Sequence, residues 1–205
     1  MTTVAVIDFE TTGLSPAMGD RATEVAIVLL EGERVVDRYQ SLMNAGVRIS
    51  AFIEAYTGIS NQMIAAAPPA EQVMDEASRF VGDRPMVAHN ASFDRRFWAA
   101  ELQRLGQAAD QPFACTLLLS RRVWPEVRSY RLGSLASYHG LPDTGRAHRA
   151  LADAETAAAL LGRIRRDLRS RYGLPEARHA LLMQLQACSR QALPRAIERH
   201  RATLD

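Results

Sequence analysis

Asp8 and Glu10 close the apolar run Val4-Ala5-Val6-Ile7 and are two residues apart. In a strand, that spacing turns both carboxylates to the same face. An unpaired carboxylate beside an apolar run is costly, and two like charges are reconciled most simply by sharing a hard cation. An edge-strand pair facing water would satisfy the same pattern. Asp94 ends His89-Asn90-Ala91-Ser92-Phe93-Asp94, where a strand gives way to a helix. There the helix macrodipole favours an acid whether or not it has a further task. The third group is His148-Arg149-Ala150-Leu151-Ala152-Asp153. Residues five apart on a regular helix point about 140° apart, so the two reach one site only with His148 in the loop after Gly145 and Asp153 in the helix. A histidine beside acids can accept a proton near neutral pH; a surface histidine among arginines is the alternative.

Several elements must position these groups. The run 4–7 reads as a buried strand continuing through Glu10, and 11–16 as a loop. Residues 24–30 and 34–41, with a turn at Gly32, complete an antiparallel meander. Residues 60–66 and 70–81 read as helices separated by Pro68-Pro69. A short strand at 85–88 and a loop at His89-Asn90 precede a helix over 92–105. Residues 113–116 form a further strand, 117–123 and 132–139 helices, and 150–171 a long helix. Strands first, then strands alternating with helices, predict an α/β fold with a mixed central sheet flanked by helices. Gly173-Leu174-Pro175 marks a boundary, dividing the chain into residues 1–172 and a helical C-terminal extension, 173–205. In the extension, 176–192 reads as one amphipathic helix, interrupted at Pro194 and followed by a basic segment.

An apolar content of 47% supports a globular core. No apolar run is long enough to span a bilayer, and the start carries no basic leader, so the expected setting is the cytoplasm. Cys115 and Cys188 fit no metal spacing and are expected to be free. The net charge of +2 hides an asymmetry: residues 1–110 carry 15 acids and 9 arginines (net −6), and residues 111–205 carry 8 acids and 16 arginines (net +8). The acidic half could hold cations and the basic half phosphates; solvated, scattered faces would look the same. All 25 basic residues are arginine. Beside the abundant alanine, this points to genome base composition rather than function.

The three segments Asp8-Phe9-Glu10-Thr11-Thr12-Gly13, His89 to Asp94 and His148 to Asp153 resemble, in order and separation, the three motifs of the four-acid (DEDD) 3′→5′ exonuclease superfamily. The similarity covers about residues 3–165. It extends to Ala55-Tyr56-Thr57-Gly58-Ile59 and Tyr130-Arg131-Leu132-Gly133-Ser134-Leu135, and the nearest group is the proofreading (epsilon) subunits of bacterial DNA polymerase III and their stand-alone relatives. Histidine five residues before the last acid, with Arg149 where the other branch has tyrosine, resembles the histidine branch.

The resemblance implies a ribonuclease-H-like fold and two divalent ions, Mg²⁺ or Mn²⁺. Two ions roughly 3.5–4 Å apart activate water, stabilise the leaving oxygen and neutralise the phosphate. It implies Asp8 bridging both ions, Glu10 and Asp153 on one, Asp94 on the other, and His148 as general base. Thr11, Thr12, Leu14, Thr57, His89 and Phe93 become candidate contacts to the terminal nucleotide, with Leu14 a wedge against its base. Thr57 stands where some relatives carry histidine. Phe93 could equally pack the core, and His89 could equally brace its loop. Arg121, Arg122, Arg128, Arg131, Arg146 and Arg149 are candidate phosphate contacts. The implied activity is metal-dependent release of nucleoside 5′-monophosphates from single-stranded DNA 3′ ends, in replication or repair. RNA 3′-end trimming is the main alternative and an inactive nucleic-acid-binding scaffold a lesser one. The C-terminal extension could pack on the core, form a homodimer or bind a DNA polymerase subunit.

Overall fold

The computed structural model describes residues 3–202. Its sheet holds β1 (Val4–Thr11), β2 (Ala22–Glu31), β3 (Arg34–Leu42), β4 (Met86–Ala88) and β5 (Phe113–Cys115), in the order β3-β2-β1-β4-β5. The first three strands are the expected antiparallel meander, and β4 and β5 add in parallel beside β1. The sheet is therefore mixed, with β1 at its centre.

Alternation along β1 divides the core into two. Val4 and Val6 face one apolar layer, which contains α7 (Ala150–Tyr172) and α8 (His179–Ala187). Ala5, Ile7 and Phe9 face the other, which contains α3 (Ala70–Val81) and α4 (Ser92–Arg104). By the same parity Asp8 and Glu10 lie on the α7 side. Smaller helices fill the connections: α1 (Ala51–Thr57), α2 (Asn61–Ala66), α5 (Thr116–Val123) and α6 (Leu132–His139).

Three sequence expectations need correction. Helix α1 was not anticipated, although its signals are present: the Ser50 hydroxyl accepts from the Ile53 N–H, and Gly58, at φ 72°, ends the helix in the left-handed region. The single helix expected over 176–192 is shorter, because α8 stops at Ala187. Pro194 does not interrupt a helix but lies in the first turn of α9 (Leu193–Arg201), where a missing N–H costs nothing. Both cysteines are free, as expected.

The C-terminal helices share the main core. Leu181, Leu182 and Leu185 are fully buried with Trp124, Leu119 and Leu168, and Leu193 and Ile197 of α9 close the same layer. Gln186 adds polar pinning: its side chain accepts from the Cys115 N–H and donates to the Phe113 carbonyl, one on each side of Ala114 in β5. A buried leucine contributes about 1.5–3 kcal/mol. A chain ending at Tyr172 is therefore expected to lose about 5 kcal/mol or more of stability, read as a sharply lowered melting temperature.

Candidate active site

Asp8 and Glu10 project from the C-terminal half of β1, and Asp153 from the first turns of α7. Their carboxylate oxygens lie within 4.8 Å of one another. Asp94 approaches from the opposite layer. Because β4 is only three residues long, the β1 N–H groups beyond it lack a strand partner on that side. Asp94 Oδ1 accepts the one at Phe9, at 3.2 Å, and the residue is only 2% exposed. Asp8 thus stands between Glu10 and Asp153 on one side and Asp94 on the other.

This concentration of like charge shifts the acids strongly. Burial, then the fields of Asp94, Asp153, Glu10 and Glu24, hold the Asp8 carboxyl well above the usual range. Burial and the fields of Asp153 and Glu24 push Glu10 up to about 8. Burial raises Asp94 to about 7, against the pull of the backbone N–H groups. Asp153 is raised by burial and eased by the His148 N–H. Four crowded carboxylates whose anionic forms are disfavoured make a hard, all-oxygen donor set suited to divalent cations.

His148 lies in the loop before α7, as the spacing required. Its backbone is at φ 61°, a left-handed conformation uncommon outside glycine. Its N–H donates to Asp153 Oδ2 at 3.0 Å, fixing the histidine's backbone to a member of the acid cluster. Its ring stacks on Tyr56, with centroids 3.9 Å apart.

Glu24 and Arg149 form the part of the site that sequence reasoning missed. Glu24 pairs across the ladder with Glu10 and is fully buried. Arg149 holds it bidentately, at 2.8 and 3.2 Å, and the Ala150 N–H donates to it at 3.0 Å. Arg149, a candidate phosphate contact by sequence, is thus committed to a structural ion pair. Arg122 is likewise committed, to the carbonyls of Cys188 and Gln186. The available signal was a glutamate opening an otherwise apolar strand; what was missing was the register that sets it opposite Glu10.

The candidate substrate contacts separate. Leu14 is 79% exposed, in a loop wrapped around Asp20, which accepts from the Ser15 N–H and the Thr12 hydroxyl. A side chain at Gly13 would collide with that carboxylate, at 2.4 Å, so the loop requires glycine there. The Thr11 hydroxyl donates to the Gly13 carbonyl. Thr57 is 1% exposed and bonded within its own helix end, donating to the Ile53 carbonyl and accepting from the Ile59 N–H. Phe93 packs against Phe97, with centroids 4.9 Å apart.

His89 has both ring nitrogens engaged. A carbonyl only accepts, so Nε2 donates to the Tyr130 carbonyl and Nδ1 accepts from the Thr116 hydroxyl, each at 2.9 Å. The ring ties the end of β4 to the loop before α6. The same face opens into a cleft of about 1420 Å³ bordered by Arg95, Arg121, Arg131, His148 and Asp153.

A sequence profile of the exonuclease family matches residues 5–161. The chain belongs to this exonuclease family. It is 38% identical over 169 residues to the 3′-5′ exonuclease DinG of Bacillus subtilis and 35% identical over 167 residues to the PolC-type DNA polymerase III of Bacillus cereus. Those alignments take in about 80% of the chain but only 18% and 12% of the relatives' lengths, so the resemblance is to one part of each. The epsilon subunit of DNA polymerase III from Aquifex aeolicus is 33% identical over 173 residues, covering 84% of this chain and 85% of its own. Among solved structures, exonuclease X in complex with 5′-overhanging duplex DNA superposes with a TM-score of 0.69 at 29% identity, covering 88% of this chain and 99% of that one. Exonuclease I of E. coli with a dT13 oligonucleotide reaches 0.73 at 18% identity, covering 84% and 43%, which supports the fold alone. The fold is the ribonuclease-H-like one expected from the sequence.

Two outcomes follow from the electrostatics. Asp8→Asn removes one of four repelling charges, so in EDTA the variant is expected to melt at or above the wild-type temperature. Millimolar Mg²⁺ or Mn²⁺ should raise the melting temperature of the wild type by several degrees and leave that of the variant unchanged. The second outcome concerns His89, whose pKa is lowered by burial from 6.5 to about 4. Below pH 6.5 the unfolded chain takes up a proton that the folded ring refuses until about pH 4. The stabilising contribution is complete above 6.5 and is lost as pH falls toward 4. Stability measured across that window should fall less steeply in His89→Gln.

Proposed function

We propose that this chain is a metal-dependent 3′→5′ exonuclease that removes nucleoside 5′-monophosphates from the 3′ ends of single-stranded DNA, in the cytoplasm. The observation that carries this reading is the convergence of Asp8, Glu10 and Asp153 within 4.8 Å, with His148 hydrogen-bonded to the last of them. Family membership supports hydrolysis of a phosphodiester. The polymerase III and exonuclease X relatives support DNA as substrate and a replication or repair setting.

Asp8, Glu10, Asp153 and Asp94 would hold two Mg²⁺ or Mn²⁺ ions. When bound, such ions supply charge neutralisation at the phosphate and activation of the nucleophile. His148 accepts the proton of the attacking water as the bond between phosphorus and the penultimate O3′ breaks. That oxygen takes up a proton from solvent to become the new 3′-hydroxyl, and the terminal nucleotide departs with its 5′-phosphate. Leu14 stands ready to abut the terminal base. The cleft arginines Arg95, Arg121 and Arg131 lie where upstream phosphates would run, which makes binding salt-dependent. Residues 1–172 carry the chemistry, and the helices within 173–202 stiffen it from behind.

The test uses 3′- and 5′-labelled DNA and RNA oligonucleotides with Mg²⁺, Mn²⁺ or EDTA. Mononucleotides should appear from the 3′ end of DNA, only with a divalent ion. Asp8→Ala should abolish the activity, and His148→Ala should reduce it by about 10²–10⁴-fold, the usual worth of a general base. Cleavage that survives EDTA would refute the metal mechanism, and faster trimming of RNA would reassign the substrate.

A further inference from the structure

His148 is the least constrained member of the site by its own bonds. It sits on a loop, in a left-handed backbone conformation, and only its N–H is tied to the acid cluster. What fixes its ring comes from a distant element, α1. Tyr56 stacks on the imidazole with centroids 3.9 Å apart and planes 29° apart. Phe52, one helical turn earlier, stacks behind Tyr56 with centroids 6.0 Å apart and planes 10° apart. The three rings form a continuous column running from solvent to the edge of the acid cluster.

A second contact joins the same two segments. Gly58, which ends α1, lies directly against the Arg146 guanidinium; a side chain there would meet it at 2.3 Å. So α1 touches the histidine loop at two points, at Arg146 and at the His148 imidazole itself. Core packing does not account for Tyr56, which is 48% exposed, with Phe52 more exposed still. Its ring is nevertheless close enough to the acids for the fields of Glu10 and Asp153 to add to burial in raising its hydroxyl pKa. That hydroxyl has no hydrogen-bond partner among the described residues, so the ring face is what the structure uses.

We propose that Tyr56 is a positioning residue for catalysis: carried by α1 and backed by Phe52, its ring holds the His148 imidazole in the orientation from which it takes the proton of the attacking water. The inference rests on the reading of His148 as general base. Fixing a reacting group matters because a misplacement on the order of 1 Å can cost about a hundredfold in rate.

The experiment combines kinetics with NMR on the intact chain, using a 3′-labelled single-stranded oligodeoxynucleotide and Mg²⁺. Tyr56→Ala should lower kcat by roughly tenfold to a hundredfold, with KM within about twofold of wild type and an unchanged melting temperature. Tyr56→Phe should restore kcat. The His148 ring protons, assigned by their absence in His148→Ala, should be shifted upfield by the Tyr56 ring in wild type and Tyr56→Phe and return to ordinary positions in Tyr56→Ala. In the His148→Ala background, Tyr56→Ala should cause no further loss.

A raised KM with kcat retained would overturn the proposal, since the ring would then be stacking on substrate. An equal loss of rate with and without His148 would overturn it too. If His148→Ala is impaired while Tyr56→Ala is not, the proposal fails alone. If His148→Ala keeps the wild-type rate, the base assignment fails and takes the proposal with it.

Discussion

The buried pair between Glu24 and Arg149 is the constraint on which the site's assembly depends. Helix α7 has no local side-chain cap for its first turn. Glu24, on β2, supplies one from 126 residues away, accepting the Ala150 N–H while Arg149 grips the same carboxylate. A negative charge at a helix start is favourable in itself, and the arginine meets the cost of burying it. The start of α7 is thereby fixed to the sheet, and with it His148 and Asp153. The opposite layer repeats the device. Glu101 of α4 is buried and takes two N–H groups of Arg21 together with the Ala22 N–H, which ties the helix that carries Asp94 to the start of β2. Two glutamate–arginine pairs thus set the two helices whose acids must meet those of β1.

Beside Glu24 stand four carboxylates with no arginine ion pair of their own among the described residues, although the field of Arg149 partly offsets the charge of Glu10. Where the fold needed a buried acid for its own stability, it provided a bidentate partner and backbone donors. Where it placed Asp8 and Glu10, it provided apolar walls and more acids. The folded chain stores repulsion there that a bound cation or a proton relieves, a frequent property of sites that trade stability for chemistry.

Much of this was legible in the sequence because it is local. The period-2 placement of Asp8 and Glu10, the β-branched run before them and the loop-then-helix position of His148 and Asp153 all follow from neighbouring residues. What escaped depends on pairing between distant segments. Glu24 reads as the start of a strand until the register sets it beside Glu10. Arg149 reads as a free cation until its carboxylate is known. Tyr56 reads only as part of a familiar segment until α1 folds over the histidine loop. Thr57 shares that segment, yet the helix end turns it inward, and nothing in the sequence alone separates the two. Helix α1 itself carries its signals in Ser50 and Gly58.

Glu24 is made early in the life of each molecule and Arg149 late. A nascent chain on the ribosome exposes Asp8, Glu10 and then Asp94, while Asp153 and the clamp that places it are still to come. Neither the acid cluster nor the histidine beside it can close until α7 has emerged. On the proposed mechanism, the emerging polypeptide cannot cut nucleic acid until that helix is in place, and a product truncated before α7 never can.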